Sequence, residues 1–173
     1  CHKLYFFWHN ILIKIIDNFL PKDELDFIRN HVFNQQFPLY LQDEIVDNEK
    51  RCITHINFSH NIYANNVSLS PFFDTVNQLL FSKLDMRSLI RSKINCYPRT
   101  DKIIQHTWHI DFDYEHKGIL YYLNTCDGET RFKGENSVKS KENRIVFFDP
   151  SKLHASTSCT DDKCRWSIIA NYL

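Results

Sequence analysis

The chain has 173 residues, 43% of them hydrophobic and 14% aromatic, with 14 Phe and 8 Tyr against 3 Gly. That length suits one domain with a core needing no disulfide or metal staple, and the composition excludes a disordered or collagen-like chain and favours strands. Lys plus Arg and Asp plus Glu each count 21, so no global field draws the chain to nucleic acid or an anionic membrane, although a local basic patch stays open.

The chain opens on Cys1-His2 rather than Met, which leaves its native start open. The apolar stretch 4–13 is interrupted by His9 and Asn10 and lacks a basic leader and a cleavage site. It reads as a first strand, not as a signal peptide or membrane span. Residues 21–34, PKDELDFIRNHVFN, predict a helix: Pro21 starts it, acids fill the first turn, and Leu25, Ile28 and Val32 form one apolar face. ITHINFSHNIY at 53–63 alternates as a strand does. A second helix is expected over 70–84, with Ser70-Pro71 as its start and Phe72, Val76, Leu79, Leu80 and Leu84 as its stripe.

From residue 87 the texture changes. Strand-like segments follow at 89–97, 106–112, 118–124, 129–133, 144–149 and 165–173, separated by turn stretches such as PRTDK, TCDG, KGEN, KSKEN and CTDDK. There is no helical period here and no internal repeat. Short strands at such intervals predict an antiparallel sandwich, jelly roll or barrel. The expected whole is a mainly β single domain over 1–173, with a supporting region at 1–86 and a barrel core at 87–173.

The cysteines at 1, 52, 96, 126, 159 and 164 form no C-x-x-C pair, which argues against a zinc ribbon or a thioredoxin motif. Cys159 and Cys164 could meet across a hairpin, and spacing leaves that pairing open. Reduced thiols in a cytoplasmic compartment are the expectation.

The chemistry begins at WHIDFD, residues 108–113. In an extended strand His109 and Asp111 project from one face, placing an imidazole beside a carboxylate. Two His and one carboxylate form the facial triad that binds Fe(II) with positions left open. The third ligand must come from afar, and His154, in DPSKLHAS after the strong strand RIVFFD, is the natural one. Asp113 and His116 lie near enough to compete. Arg165-Trp166-Ser167 opens the last apolar strand. A buried Arg there needs a carboxylate partner, and a guanidinium suits a bidentate grip on a small dicarboxylate, with Ser167 adding a bond.

Together, His109-x-Asp111, His154 and Arg165-x-Ser167 resemble the iron and 2-oxoglutarate-dependent oxygenases. NCYP at 95–98, YYLN at 121–124, Gly128-Glu-Thr-Arg-Phe132 and NRIVFFD add to the likeness, which is nearest to the prolyl hydroxylase-like branch and to small phage and bacterial oxygenases. It covers 95–173; over 1–94 only the layout matches.

The resemblance implies a double-stranded β-helix (a jelly-roll, cupin-like barrel) and Fe(II) held by His109, Asp111 and His154. It implies 2-oxoglutarate chelating that metal, with its far carboxylate on Arg165 assisted by Ser167, and Tyr97 and Tyr122 pointing at the cosubstrate. O2 is consumed, succinate and CO2 are released and a substrate C–H is hydroxylated, with ascorbate as a supporting reductant. In related halogenases a small residue replaces the carboxylate, so Asp111 favours hydroxylation. Nucleic-acid demethylases usually carry a second Arg six positions after the first; Asn171 stands there, and no nucleic-acid partner is expected.

The substrate is open between a protein side chain and a small molecule, with specificity expected from 36–68 and 99–107. The alternative is a cupin-like barrel that binds a metal or small ligand without turnover. Plainer readings stand beside the sharp ones. His109 and Asp111 alone could be the polar face of a surface strand, and Tyr97 and Tyr122 are core residues by default. His106 is expected to be structural or at the pocket rim, Trp108 and Trp166 to pack between barrel and helices, and Arg131 and Phe132 to lie near the mouth. His2, His9, His31, His55 and His60 read as ordinary histidines.

Overall fold

In the computed structural model, residues 13–42 and 56–173 are described. The strand expected over 4–13, the first part of that expected over 53–63, and His2, His9, His55, Cys1 and Cys52 lie wholly or almost wholly outside them.

The chain is mostly β. Strands β1 (Ile13–Ile16), β2 (Tyr40–Gln42), β3 (Asn57–Ala64), β4 (Val67–Ser68), β5 (Leu89–Pro98), β6 (Lys117–Tyr122), β9 (Arg144–Phe148) and β11 (Cys164–Tyr172) form one sheet. Its order is β1-β9-β6-β11-β5-β3-β2, with β4 on β3, and each pairing is antiparallel. Strands β7 (Glu129–Phe132), β8 (Val138–Lys139) and β10 (His154–Ser156) form a second antiparallel sheet, ordered β10-β7-β8.

The central strands are apolar on both sides, so consecutive residues enter different cores. Ile119, Tyr121, Ile145, Phe147, Ile168 and Ala170 join one cluster with Leu25, Ile28 and Val32 of helix α1 (Lys22–Val32) and Phe72 and Val76 of α2 (Phe72–Leu79). Their neighbours Leu120, Tyr122, Val146, Phe148 and Ile169 meet Phe132 and Val138 of the small sheet in a second cluster. The large sheet therefore lies between the helices and the small sheet.

Helix α1 begins after Pro21 and carries Asp23 and Glu24 in its first turn, where acids favour the positive end of the helix dipole. Helix α2 is shorter than the stretch 70–84. It ends at Leu79 and passes into a 3₁₀ turn, Phe81–Lys83, which keeps Leu80 and Leu84 buried. Asn65 and Asn66, both at positive φ, make the tight β3–β4 turn.

One expectation fails outright. Residues 106–112 are not a regular strand: Gln105 and His109 make isolated bridges to Thr157 and His154, and the intervening backbone is irregular. The segment is extended enough for His106 N–H to reach Ser156 O (2.9 Å) and for His109 and His154 to exchange both backbone bonds (3.0 and 2.9 Å). Asp111 N–H instead turns to Pro150 O, at 2.9 Å. Without a regular strand there, Trp108 does not pack between barrel and helices but is exposed, while Trp166 is packed on Phe33 at 5.4 Å between ring centres.

Candidate metal and cosubstrate site

On the inner face of the large sheet the pleat aligns side chains in rows. Arg165 of β11 lies opposite Tyr97 of β5, Ser167 opposite Asn95, Ile169 opposite Lys93 and Asn171 opposite Arg91. These residues, apart from Arg91 and Asn171, line one cavity together with Asn57, Leu120, Thr130, Ser156, His109, Asp111 and His154.

At one end of it, the bridge between His109 and His154 brings their rings to 4.4 Å between centres. One donor atom from each of His109, Asp111 and His154 lies within 4.8 Å of the others. His109 Nδ1 faces Thr107 O at 3.1 Å and His154 Nδ1 faces Lys152 O at 2.9 Å. A carbonyl accepts only, so each Nδ1 carries the proton and each Nε2 keeps a lone pair. Burial pushes the His154 imidazole down to about 4, which makes it neutral near pH 7, as a metal ligand must be.

Burial would raise the Asp111 carboxyl, but Arg91 foremost, then His154, Asn171 and His109, hold it below the ordinary carboxylate range. Arg91 Nη2 lies 2.8 Å from Asp111 Oδ1, and Asn171 Nδ2 donates to Oδ2 at 2.8 Å. The donor set, its protonation and its fixed tautomers fit a divalent metal with both imidazoles positioned by neighbouring backbone. Asp113 is exposed and outside the cluster; His116 is buried and faces Tyr114 O and Asn171 instead.

At the other end, Arg165 is 1% exposed. Nη2 donates to Thr130 Oγ1 at 2.7 Å, Nη1 to Thr157 O at 3.3 Å, and Nε has no partner. The guanidinium lies between the rings of Tyr97 and Tyr122, 5.5 and 5.2 Å from their centres. Among the described residues no carboxylate pairs with it. Neutral partners alone compensate a buried cation poorly, so an anion bound beside it would lower that cost.

Tyr97 lines the cavity, stacks on His106 and interacts with Ser156. Tyr122 does not line it; its hydroxyl meets Thr130 Oγ1 at 2.8 Å and stands behind Thr130 and Arg165. His106 is buried, with Nδ1 2.8 Å from Ser156 Oγ. Arg131 ties Glu129 to Gln105, and Phe132 is core. The described cysteines, Cys96, Cys126, Cys159 and Cys164, are free thiols, and Cys164 neighbours Cys96 rather than Cys159.

Sequence reading missed Thr130, Arg91, Asn171, Asn57 and Asn95. For Arg91 and Asn95 a signal existed in the polar every-second-residue pattern Arg91-x-Lys93-x-Asn95 of an otherwise apolar strand. Asn171, noted only as the absence of an Arg, orients Asp111.

No family model and no curated protein sequence matches the chain. Solved structures do, and the fold they share is that of the prolyl hydroxylase-like 2-oxoglutarate and Fe(II) oxygenases. A Pseudomonas putida prolyl-4-hydroxylase is 16% identical with a TM-score of 0.62, covering 94% of this chain and 93% of that one. A Trichoplax adhaerens prolyl hydroxylase, solved with a peptide fragment of the hypoxia inducible factor oxygen degradation domain, is 18% identical with a TM-score of 0.66, covering 95% and 84%. A 2OG-Fe(II) oxygenase family oxidoreductase from Burkholderia pseudomallei is 14% identical with a TM-score of 0.66, covering 94% and 86%.

Proposed function

We propose that the chain is a single-domain Fe(II)- and 2-oxoglutarate-dependent dioxygenase on a double-stranded β-helix, hydroxylating a protein side chain or a small molecule with release of succinate and CO2. The observation that carries this is Arg165: a buried guanidinium with no carboxylate partner among the described residues, in the same cavity as a His-Asp-His cluster. In this reading His109, Asp111 and His154 hold the metal, which when bound supplies oxygen activation. Arg165 accepts the far carboxylate of 2-oxoglutarate, Ser167 and Thr130 add hydroxyl bonds to it, and Tyr97 closes the side of the pocket. Tyr122 acts through Thr130 and Arg165 rather than by touching the cosubstrate.

The shared fold supports the reading, and a peptide-bound neighbour supports a polypeptide among the candidate substrates. No helix among the described residues is long and apolar enough to cross a membrane. A metal-binding cupin-like barrel without turnover gives Arg165 no task and is not favoured.

The expected result is slow succinate formation from Fe(II), 2-oxoglutarate, O2 and ascorbate without added substrate. Arg165→Ala should weaken 2-oxoglutarate binding by about 100-fold, since it removes a buried charge-assisted pair. Equal binding by parent and variant in calorimetry with Mn(II) in place of iron would refute the anchor.

A further inference from the structure

Besides the residues assigned to the metal and to 2-oxoglutarate, the cavity is lined by a further polar wall. Asn57 on β3 and Asn95 on β5 line it, 3% and 4% exposed, and Oδ1 of each is buried without a hydrogen-bond partner. Asn95 lies between Ser59 of β3 and Ser167 of β11, and Asn57 is one position beyond the Phe58–Cys96 pair. The two carboxamides therefore stand on neighbouring strands at the flank of the Arg165 pocket. Lys93, two residues before Asn95, lines the same wall.

A buried carbonyl oxygen left unpaired destabilises the protein unless something binds it. Two in one cavity mark a subsite whose partner is a ligand. A carbonyl oxygen accepts only, and 2-oxoglutarate as a dianion has no donor to offer, so in this orientation of the carboxamides the donors come from the second substrate. The partner that two such oxygens call for is an N–H or O–H group.

Resting on the dioxygenase reading, we propose that Asn57 and Asn95 select a substrate whose reacting part carries a hydrogen-bond donor of its own, such as a carboxamide or hydroxyl side chain, and not the donor-free pyrrolidine ring of a prolyl residue. A site built to hydrogen-bond such a group discriminates strongly against analogues that lack it.

The test uses Asn57→Leu and Asn95→Leu in the full chain, with Asn95→Ala as a variant that adds no bulk. Removing an orphaned acceptor should raise Tm by about 2–6 °C, whereas a structural role for the carboxamides would lower it. 2-Oxoglutarate affinity with Mn(II) should stay within about twofold of the parent's; a larger loss would reassign both residues to the cosubstrate and overturn the proposal. N-acetyl methylamides of Asn, Ser and Pro then serve as probes of 2-oxoglutarate consumption. The Asn or Ser compound should stimulate the parent at least about tenfold more than the Pro compound, with that advantage lost in the leucine variants. Stimulation by the Pro compound equal to or above the others overturns the proposal. Substrate-free succinate formation reports on the dioxygenase reading separately, so either can fail alone.

Discussion

Gly128 stands where Arg165, the proposed anchor, has no room to move. A Cβ added there would lie 2.7 Å from Arg165 Cδ and 2.6 Å from Ser158 O, closer than packed atoms tolerate. The glycine lets the backbone before β7 close over the stem of Arg165, whose head is held by Thr130 from the same strand. Gly128→Ala should cost about 1–3 kcal/mol by overpacking and should weaken 2-oxoglutarate binding by shifting the guanidinium. Thermal unfolding and calorimetry on one preparation would check both. Loss of stability with unchanged cosubstrate affinity would mean that the strain is relieved at Ser158 and not at Arg165.

At the scale of elements, β1 is an edge strand joined to β9, and the turn after it is held by charge. Asp17 accepts from Arg144 Nε at 2.6 Å and Nη2 at 3.1 Å, and Lys141 lies 2.8 Å away. The hydrogen bond from Arg144 is the largest influence holding the Asp17 carboxyl far below its usual range, followed by that from Lys141. Because the folded value is the depressed one, the contribution is complete above the unfolded value of about 4 and is lost as pH falls below it. Asp17→Asn should cost about 1 kcal/mol near pH 7, discounted for partial exposure. The cost should shrink progressively below about pH 4 and disappear only as the pH falls through the strongly depressed folded value, a narrowing that urea titrations from pH 7 downward would reveal.

Elements of this kind were unevenly legible in the sequence. Strands β5, β6, β9 and β11 show plainly because strands buried on both faces are near-continuous apolar runs. Residues 106–112 mislead for a physical reason: a segment held by single bridges to β10 has the same local alternation as a strand, without its ladder. The spacing of His109 and Asp111 and the place of His154 after β9 point to three residues that the fold brings together. The bonds from Arg165 to Thr130 and from Asn171 to Asp111 join residues 35 and 60 apart, and no local pattern encodes them.

Across the whole molecule, the proposed ligands join parts of the fold that the backbone connects only through turns. His154 belongs to the small sheet, Arg165 and Ser167 to the centre of the large one, and His109 and Asp111 to the irregular segment between β5 and β6. In the proposed arrangement a metal would be held by the small sheet and that segment together, and 2-oxoglutarate would be held by the metal site and by Arg165 of the large sheet. Ligands that bind only the folded arrangement would stabilise it by mass action, by about 2.7 kcal/mol at a hundredfold excess over Kd. In a chain of 173 residues that corresponds to a rise in Tm of about 5–10 °C. Mn(II) should raise Tm in the parent and in Arg165→Ala alike, since the metal ligands are intact in both. Adding 2-oxoglutarate should raise it again in the parent only. His154→Ala should lose both increments, because without the metal the keto-acid end of 2-oxoglutarate has nothing to chelate and Arg165 holds one carboxylate alone. A 2-oxoglutarate increment of full size in His154→Ala would show that the cosubstrate binds independently of the metal, and the two ends of the cavity would then not form one site.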